Sequence, residues 1–413
     1  MILLINLNRY LGGGETLLIR LARYFKAHNT EYEIVAADGD CWILTEAIRQ
    51  NLNIVAWPAR NVSVIYQSNA DRLKLISEIE SLYSHHKTLR IFTFCMRDLY
   101  NSIYVFSFLS NTTIYHAHGV YHPGDVKYLS SYSASPSKVI LYNRRLFSEL
   151  HARRAILFMN QTGLEESLGE FSYVRQQLVS ESVFIPIPIE IDSNVKLKSD
   201  RDARSSQIKI ICISRFVDFK ISAVLGIMRY AASSDNVKLI VIGHGILKFI
   251  LDIWMFLRKP DNIEILVDVL PNELGIYIDQ SDIGFAQGTS ILEISKRGLP
   301  VIIAPYSRLR DLFKSNFQCL GIFGVTNAKY EFGDLYDMEN CETFSISECV
   351  NSITSDYEYY QSQSLTRTSI FSADIICERI QNFILGSEYR NHGITLPKAP
   401  LLKYFVKKII NIG

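Results

Sequence analysis

The 413-residue chain has almost no excess of charge: 43 Lys and Arg against 42 Asp and Glu leave a formal net charge of +1. A near-neutral chain has no broad positive field to draw in nucleic acid, so no nucleic-acid partner is expected and any phosphate must be held by a few placed cations. A cysteine framework is also missing. The seven cysteines are scattered, odd in number and free of any C-x-x-C pair, which reads as buried free thiols in a reducing cytoplasm. No uninterrupted apolar run approaches the ~20 residues that a membrane span needs. The apolar opening MILLINLNRY is too short for a secretory signal and reads as a first strand. No part has the composition of disorder, and the expectation is a cytoplasmic protein, soluble or peripheral to a membrane.

What the chain does have is apolar content and alternation. It is 48% hydrophobic and 21% charged, enough for sizeable cores, and a soft prior of about 150 residues per domain gives two or three domains. Strand-like runs at 1–6, 32–37, 90–95 and 113–117 alternate with helical patterns, the first carrying Leu17, Leu18, Leu21, Ala22 and Phe25 on one stripe. Strand, helix and strand in repetition predict a parallel sheet covered by helices. The run VFIPIP at 183–188 suits an edge strand or linker, because its two prolines cannot sit in a helix. After a polar connector at 194–206 the alternation restarts, with strands expected at 208–213, 238–242, 263–267, 283–286 and 301–304. The expected layout is a first α/β domain over 1–187, a second over 188–371, and C-terminal helices over 372–413 that lie back across the first domain or touch a membrane. No repeat links the two halves, and the acidic loop at 329–343 has no functional reading.

Four constellations could carry chemistry. Gly12-Gly13-Gly14-Glu15 follows the first strand and opens a helix. Glycines let backbone approach a ligand, and helix N-terminal amides suit an anion. The third glycine of a dinucleotide fingerprint would fall at Leu17, which weakens that reading. The alternative is a plain turn, with Glu15 complementing the helix dipole. Ser214-Arg215-Phe216-Val217-Asp218-Phe219-Lys220 follows the first strand of the second domain. Two cations at the carboxyl end of a parallel strand would suit a diphosphate, where charge grows as it departs; otherwise they are surface cations. Gly288-Thr289-Ser290-Ile291-Leu292-Glu293, followed by Gly298-Leu299-Pro300-Val301, reads as strand, turn, helix, stop and strand. The amides of Thr289 and Ser290 could hold a phosphate. Glu293, expected within the first helical turn, could accept from ribose hydroxyls or stabilise the helix start.

Tyr115-His116-Ala117-His118-Gly119 sends His116 and His118 to one face of a strand. A metal would need a third ligand, which is not evident; either histidine could contact a sugar hydroxyl. Asp38-Gly39-Asp40 and Asp200-Arg201-Asp202 have the D-x-D spacing of single-domain glycosyltransferases, but one comes too early and the other lies in the connector. Both read as turn aspartates, and no metal site is expected.

The order of these motifs resembles the family 4 retaining glycosyltransferases, which have the GT-B fold: two Rossmann-like doubly wound domains facing a cleft, with C-terminal helices. Gly13, Gly14 and Glu15 match the GG-x-E turn. Ser214, Arg215, Phe216 and Lys220 match G-R-L-x-x-x-K, with serine for glycine and phenylalanine for leucine. Gly243 and Gly245 match a following G-x-G. Gly288, Glu293, Gly298, Pro300 and Val301 match the E-x7-E and G-x-P-V region, and 185–192 resembles the proline-bearing end of the first domain. The likeness spans residues 1–385. It implies that Arg215 and Lys220 bind the donor diphosphate, that Glu293 holds the ribose, and that Gly13, Gly14, Gly243, Gly288, Thr289 and Ser290 line the donor. It also implies that a histidine, matched to His118 before His116, touches the transferred sugar. The first glutamate of E-x7-E falls at Phe285, which bears on the choice of sugar.

The resemblance implies a nucleotide diphosphate sugar, UDP- or GDP-linked, as donor substrate, with no cofactor and no metal. The expected acceptor is a glycan or lipid-linked glycan in surface polysaccharide assembly, O-antigen or capsule. Peripheral contact with the inner membrane rests on the apolar run at 246–257 and the basic amphipathic tail at 398–412, against core packing and a docked terminal helix. Two rivals are a GT-B sugar-nucleotide epimerase, which would need acids beside the sugar, and a non-catalytic GT-B scaffold.

Overall fold

The apolar run ILLIN forms β1 (Ile2–Asn6), all five residues buried, because both faces of this strand are covered. The computed structural model describes residues 1–59, 63–121, 124–132, 135–168, 175–191, 207–270, 273–306, 317–325 and 342–390, together with Leu312 and Phe332. The connector at 194–206 with Asp200 and Asp202, most of the acidic loop at 329–343 and the tail at 398–412 lie outside the described residues. The chain divides into two units, Met1–Pro188 with Ala373–Gly413, and Ile189–Ser372.

The first unit is built on a seven-stranded parallel sheet. After β1 come β2 (Tyr32–Ala36), β3 (Ile54–Ala56), β4 (Thr88–Thr93), β5 (Thr113–Val120), β6 (Ile156–Phe158) and β7 (Val183–Phe184), in the spatial order β3-β2-β1-β4-β5-β6-β7. The first helix, α1 (Gly13–Ala27), buries Leu17, Leu18, Leu21, Ala22 and Phe25, the stripe its spacing predicts, and carries the cation Lys26 in its last turn. It is followed by α2 (Trp42–Arg49), α3 (Asn69–Tyr83), α4 (Met96–Phe106), α5 (Pro136–Ala152), α6 (Gln161–Leu168) and α7 (Arg175–Glu181). Ser68 caps α3 by accepting from the Asp71 amide, and proline opens α5 where its missing N–H costs nothing.

The second unit has five parallel strands: β8 (Ile208–Ile213), β9 (Val237–Ile242), β10 (Ile263–Leu266), β11 (Ile283–Ala286) and β12 (Val301–Ile303), in the order β10-β9-β8-β11-β12. Between them run α8 (Ile221–Ala232), α9 (Lys248–Arg258), α10 (Leu274–Asp279) and α11 (Thr289–Ser295). Period-two alternation splits the core. Ile210, Cys212 and Phe285 pack on the α8 side, and Ile211, Ala286 and Val301 pack on the α11 side. A short antiparallel pair, β13 (Gln318–Cys319) and β14 (Phe344–Ser345), leads into α12 (Ile346–Ser355), whose Ser345 and Glu348 form a capping box. The unit closes with α13 (Tyr357–Ser369).

The last described helix, α14 (Ala373–Gly386), belongs to the first unit. It packs on α1, β4 and β5 and buries Ile376, Cys377, Ile380, Phe383 and Ile384. Arg90 of β4 donates to the carbonyls of Ile384 and Ser387 at 3.0 and 3.2 Å. Both units are therefore the doubly wound, helix-covered parallel sheets expected from the alternation. Among the described residues no helix is long and apolar enough to cross a membrane.

Candidate functional site

In a doubly wound sheet the crevice for a ligand opens at the carboxyl ends of the two strands where the winding reverses. Those strands are β8 and β11 in the second unit, and β1 and β4 in the first. The motifs at 12–15, 214–220 and 288–293 follow β1, β8 and β11 and fall at these two places.

In the second unit, the segment after β8 is anchored by the buried ring of Phe216. Its amide donates to the His244 carbonyl at 2.8 Å, and its own carbonyl accepts from Leu247 at 3.1 Å. This draws the loops after β8 and β9 into backbone contact, which is why Gly243 and Gly245 are glycines. A side chain on Gly243 would overlap the Ser214 carbonyl, and one on Gly245 the Phe216 backbone. The G-x-G pair thus shapes the crevice wall.

Lys220 sits at the N-cap of α8 with only 8% of its surface exposed. Its ammonium lies 5.9 Å from the Tyr306 ring centre and 6.0 Å from that of Phe219. A methyl added to Gly288 would come within 4.0 Å of both Lys220 Nζ and the Tyr306 hydroxyl. The lysine of one motif and the glycine turn of the other therefore meet. Gly288 has φ +62° and ψ −142°, a backbone state that favours glycine, and it places Thr289 and Ser290 at the start of α11. Arg215 is exposed on the same turn as Lys220, and among the described residues its guanidinium has no partner.

Glu293 differs from expectation. The helix begins at Thr289, so Glu293 is the fifth helical residue and lies beyond the first turn. Helix-end electrostatics fade within one turn, so the dipole reading loses its geometry. Its carboxylate, partly exposed, is ion-paired with Lys296. Phe285 lies inside β11, 1% exposed and packed in the core. The count of eight back from Glu293 thus lands on a strand position that serves the sheet. Sequence reasoning missed Gln287, which is buried between β11 and Gly288. Its amide nitrogen donates to the Pro305 carbonyl, while its oxygen has no partner among the described residues.

In the first unit, Glu15 is 5% exposed and accepts from Asn6 Nδ2 at 3.2 Å and Asn8 Nδ2 at 2.8 Å. The Asn8 oxygen accepts from Arg97 Nη2 at 3.0 Å, and Arg97 Nε donates to Asp98 at 3.0 Å. Asp98, fully buried, also accepts from the Leu7 amide at 3.2 Å and the Cys95 thiol at 3.0 Å. Burial pushes that thiol far above its usual range, reinforced by Asp98. Of the three glycines Gly12 comes nearest to this arrangement: a Cβ there would meet Glu15 Oε2 at 2.7 Å, so the carboxylate would have to shift, whereas at Gly14 the nearest atom would be 3.8 Å away. Gly13 and Gly14 are the first two residues of α1. Leu7, Asn8, Arg9, Tyr10, Glu15 and Arg97 line a cavity of about 350 Å³ at this point.

His118 is fully buried at the end of β5. Its Nδ1 lies 2.8 Å from Thr93 Oγ1 and its Nε2 2.9 Å from Asp125 Oδ2. Direct contact with a sugar would require one of these bonds to be given up. His116 is also fully buried; its Nδ1 is 3.4 Å from Ser102 Oγ, its Nε2 has no partner among the described residues, and burial lowers its pKa to about 3. Asn6, Asn8, Arg97, Asp98 and Asp125 were not foreseen. The available signal was the polar end of each apolar strand, NLN after ILLI and RD just past the strand at 90–95. Asp38 is exposed and accepts from the Gly39 amide at 2.8 Å, a turn contact. Among the described residues no three His, Cys, Asp or Glu side chains gather as metal ligands.

No protein-family model matches the chain, and no curated protein matches its sequence. Solved structures do match in fold. HepE of Anabaena in complex with UDP and glucose aligns with TM-score 0.56 and 14% identity, over 93% of this chain and 99% of that one. A glycosyltransferase of Rickettsia africae aligns with TM-score 0.60 and 14% identity, over 93% and 97%. The lipopolysaccharide outer core galactosyltransferase WaaB in its apo form aligns with TM-score 0.56 and 11% identity, over 93% and 98%. At such identities the likeness establishes the fold, and that fold is GT-B.

Proposed function

We propose that this protein is a retaining glycosyltransferase that moves a sugar from a nucleotide diphosphate donor to a glycan or lipid-linked glycan in surface polysaccharide biosynthesis. The observation that carries the reading is the placement of Lys220. A nearly buried ammonium beside a glycine turn, at the switch point of a doubly wound sheet, suits a diphosphate. HepE, in its complexes with UDP and with UDP-glucose, has this fold, and WaaB is a lipopolysaccharide galactosyltransferase; both support the class.

The chemistry follows from charge. As the bond from the anomeric carbon to the β-phosphate oxygen breaks, the electron pair leaves with the diphosphate. Lys220, Arg215 and the amides of Thr289 and Ser290 stabilise that charge. Gly243 and Gly288 keep the crevice wall free of side chains, and Glu293 accepts from the ribose hydroxyls. The acceptor hydroxyl attacks on the face that the diphosphate leaves, which retains configuration, and its proton passes to the departing phosphate oxygen. In this scheme His118 positions the end of β5 and the Asp125 segment, Gly13 and Gly14 at the start of α1 bind the donor, and the first unit takes the acceptor. The protein works in the cytoplasm against the inner membrane, a placement supported by the exposed apolar face of α9 (Phe249, Ile253, Phe256 and Leu257) flanked by Arg258 and Lys259. The test is thermal-shift binding of UDP, GDP and their sugars to the wild type and to R215A/K220A. One nucleotide should raise the melting temperature of the wild type and leave the double variant unshifted. Absence of a shift from any nucleotide with folded wild type would sink the reading.

A further inference from the structure

Among the charged side chains that line the first-unit cavity, and Asp98 packed against one of them, all but one are already answered. Asp98 is met by Arg97, the Leu7 amide and the Cys95 thiol. Glu15 is met by the amides of Asn6 and Asn8. Arg97 is spent between Asp98 and Asn8. Arg9 is the exception. It is half-buried in the cavity wall, and among the described residues its guanidinium has no hydrogen bond or ion pair. Asp38 and Asp40 flank Gly39, whose added Cβ would lie 3.5 Å from Arg9 Nη1, yet neither carboxylate bonds to Arg9. A guanidinium brings five N–H donors in a planar fork that fits two oxygens of one oxyanion, and leaving it unanswered as a ligand excludes water is costly.

The same cavity also holds the opposite chemistry. The Glu15 carboxylate and the Asn8 amide can take hydroxyl groups, and at about 350 Å³ the space is at the small end of ligand pockets. Tyr10, also in the lining, is 87% exposed and adds an aromatic ring, the kind of group that packs on the C–H side of a sugar. A neutral sugar would leave Arg9 unpaired. A sugar that carries an oxyanion would answer it.

We infer that the cavity of the first unit receives an acidic sugar, a ring bearing a carboxylate or a phosphate, with Arg9 as the residue that selects for the charge. This deepens the glycosyltransferase reading and rests on it for the name of the ligand's role, that of acceptor. Calorimetric titration of the full-length protein with methyl glucoside, methyl glucuronide and glucose 6-phosphate tests it. At least one charged sugar should bind ten-fold or more tightly than the neutral one, and which of the two does so tells carboxylate from phosphate. Arg9→Gln should bring the charged sugar to the level of the neutral one without lowering the melting temperature, since among the described residues the guanidinium holds no hydrogen bond or ion pair. Equal affinity for all three, no binding of any, or a preference that survives in Arg9→Gln would overturn the inference. A UDP thermal shift on the same wild-type sample reports separately on the glycosyltransferase reading.

Discussion

Asp125 holds His118 and Met96 with one carboxylate: Oδ2 lies 2.9 Å from His118 Nε2, and Oδ1 accepts the Met96 amide at 2.8 Å. It thereby ties the end of β5 to the first residue of α4, where a negative charge also meets the positive helix end. Removing it strands two buried groups, each at a cost of ~1–3 kcal/mol. Asp125→Ala should lower the urea midpoint accordingly while UDP binding persists. An unchanged midpoint would show that the clasp contributes nothing.

Two glycines predict opposite outcomes. Gly243→Ala drives a methyl into the Ser214 carbonyl, so the loops after β8 and β9 must separate, Lys220 loses its place, and the UDP shift should vanish. Gly14 is helical, with its nearest neighbour 3.8 Å from an added Cβ. Gly14→Ala should therefore be tolerated or gain roughly 0.5–1 kcal/mol. Melting curves of the two variants with and without UDP decide both points.

His116 predicts an acid weakness. Burial holds its pKa near 3 in the folded chain, against ~6.5 when unfolded. The unfolded state therefore binds the extra proton between these values. Stability is complete above pH 6.5 and falls on acidification, by up to about 1.4 kcal/mol per pH unit, until the folded pKa is reached. His116→Phe removes this contribution, so its unfolding free energy should depend less steeply on pH between 6.5 and 3. Equal slopes for both proteins would refute the assignment.

The solvent face of α9 predicts lipid binding. Phe249, Ile253, Phe256 and Leu257 are more than half exposed at helical spacing, an apolar stripe that water alone does not explain. The full-length protein should float with vesicles rich in anionic phospholipid, and Phe249→Ser/Phe256→Ser should not. Because these side chains support no core, the double variant should melt like the wild type. Wild type that stays in the aqueous fraction would end the idea.

The sheets were legible because their strands are buried on both faces, so runs such as IKIICI and VKLIVI announce themselves without a partner. Lys220 and Gly288 were legible as separate motifs, each at the end of such a run. Their meeting was not, since it depends on β8 and β11 being neighbours. The polar cluster around Glu15 was hidden for the same reason. Asn6, Asn8, Arg97 and Asp98 are ordinary residue types that gain meaning only when β1 pairs with β4. The run at 246–257 was ambiguous because α9 serves two surroundings: Leu251 is buried in the core while Phe249 and Phe256 face solvent. Glu293 was placed a turn too early because spacing alone does not fix where a short helix begins.

The docking of α14 on α1 and β4 also sets an order of events at the ribosome. The second unit is one continuous stretch and has all its strands as soon as it emerges. The first unit leaves the ribosome with a seat for α14 still bare. At about 5–20 residues per second, roughly 10–40 s pass before residues 373–386 follow. During that interval the nascent chain shows an apolar surface that the finished protein hides, so it is at birth, more than in its mature state, that this protein would call on a chaperone.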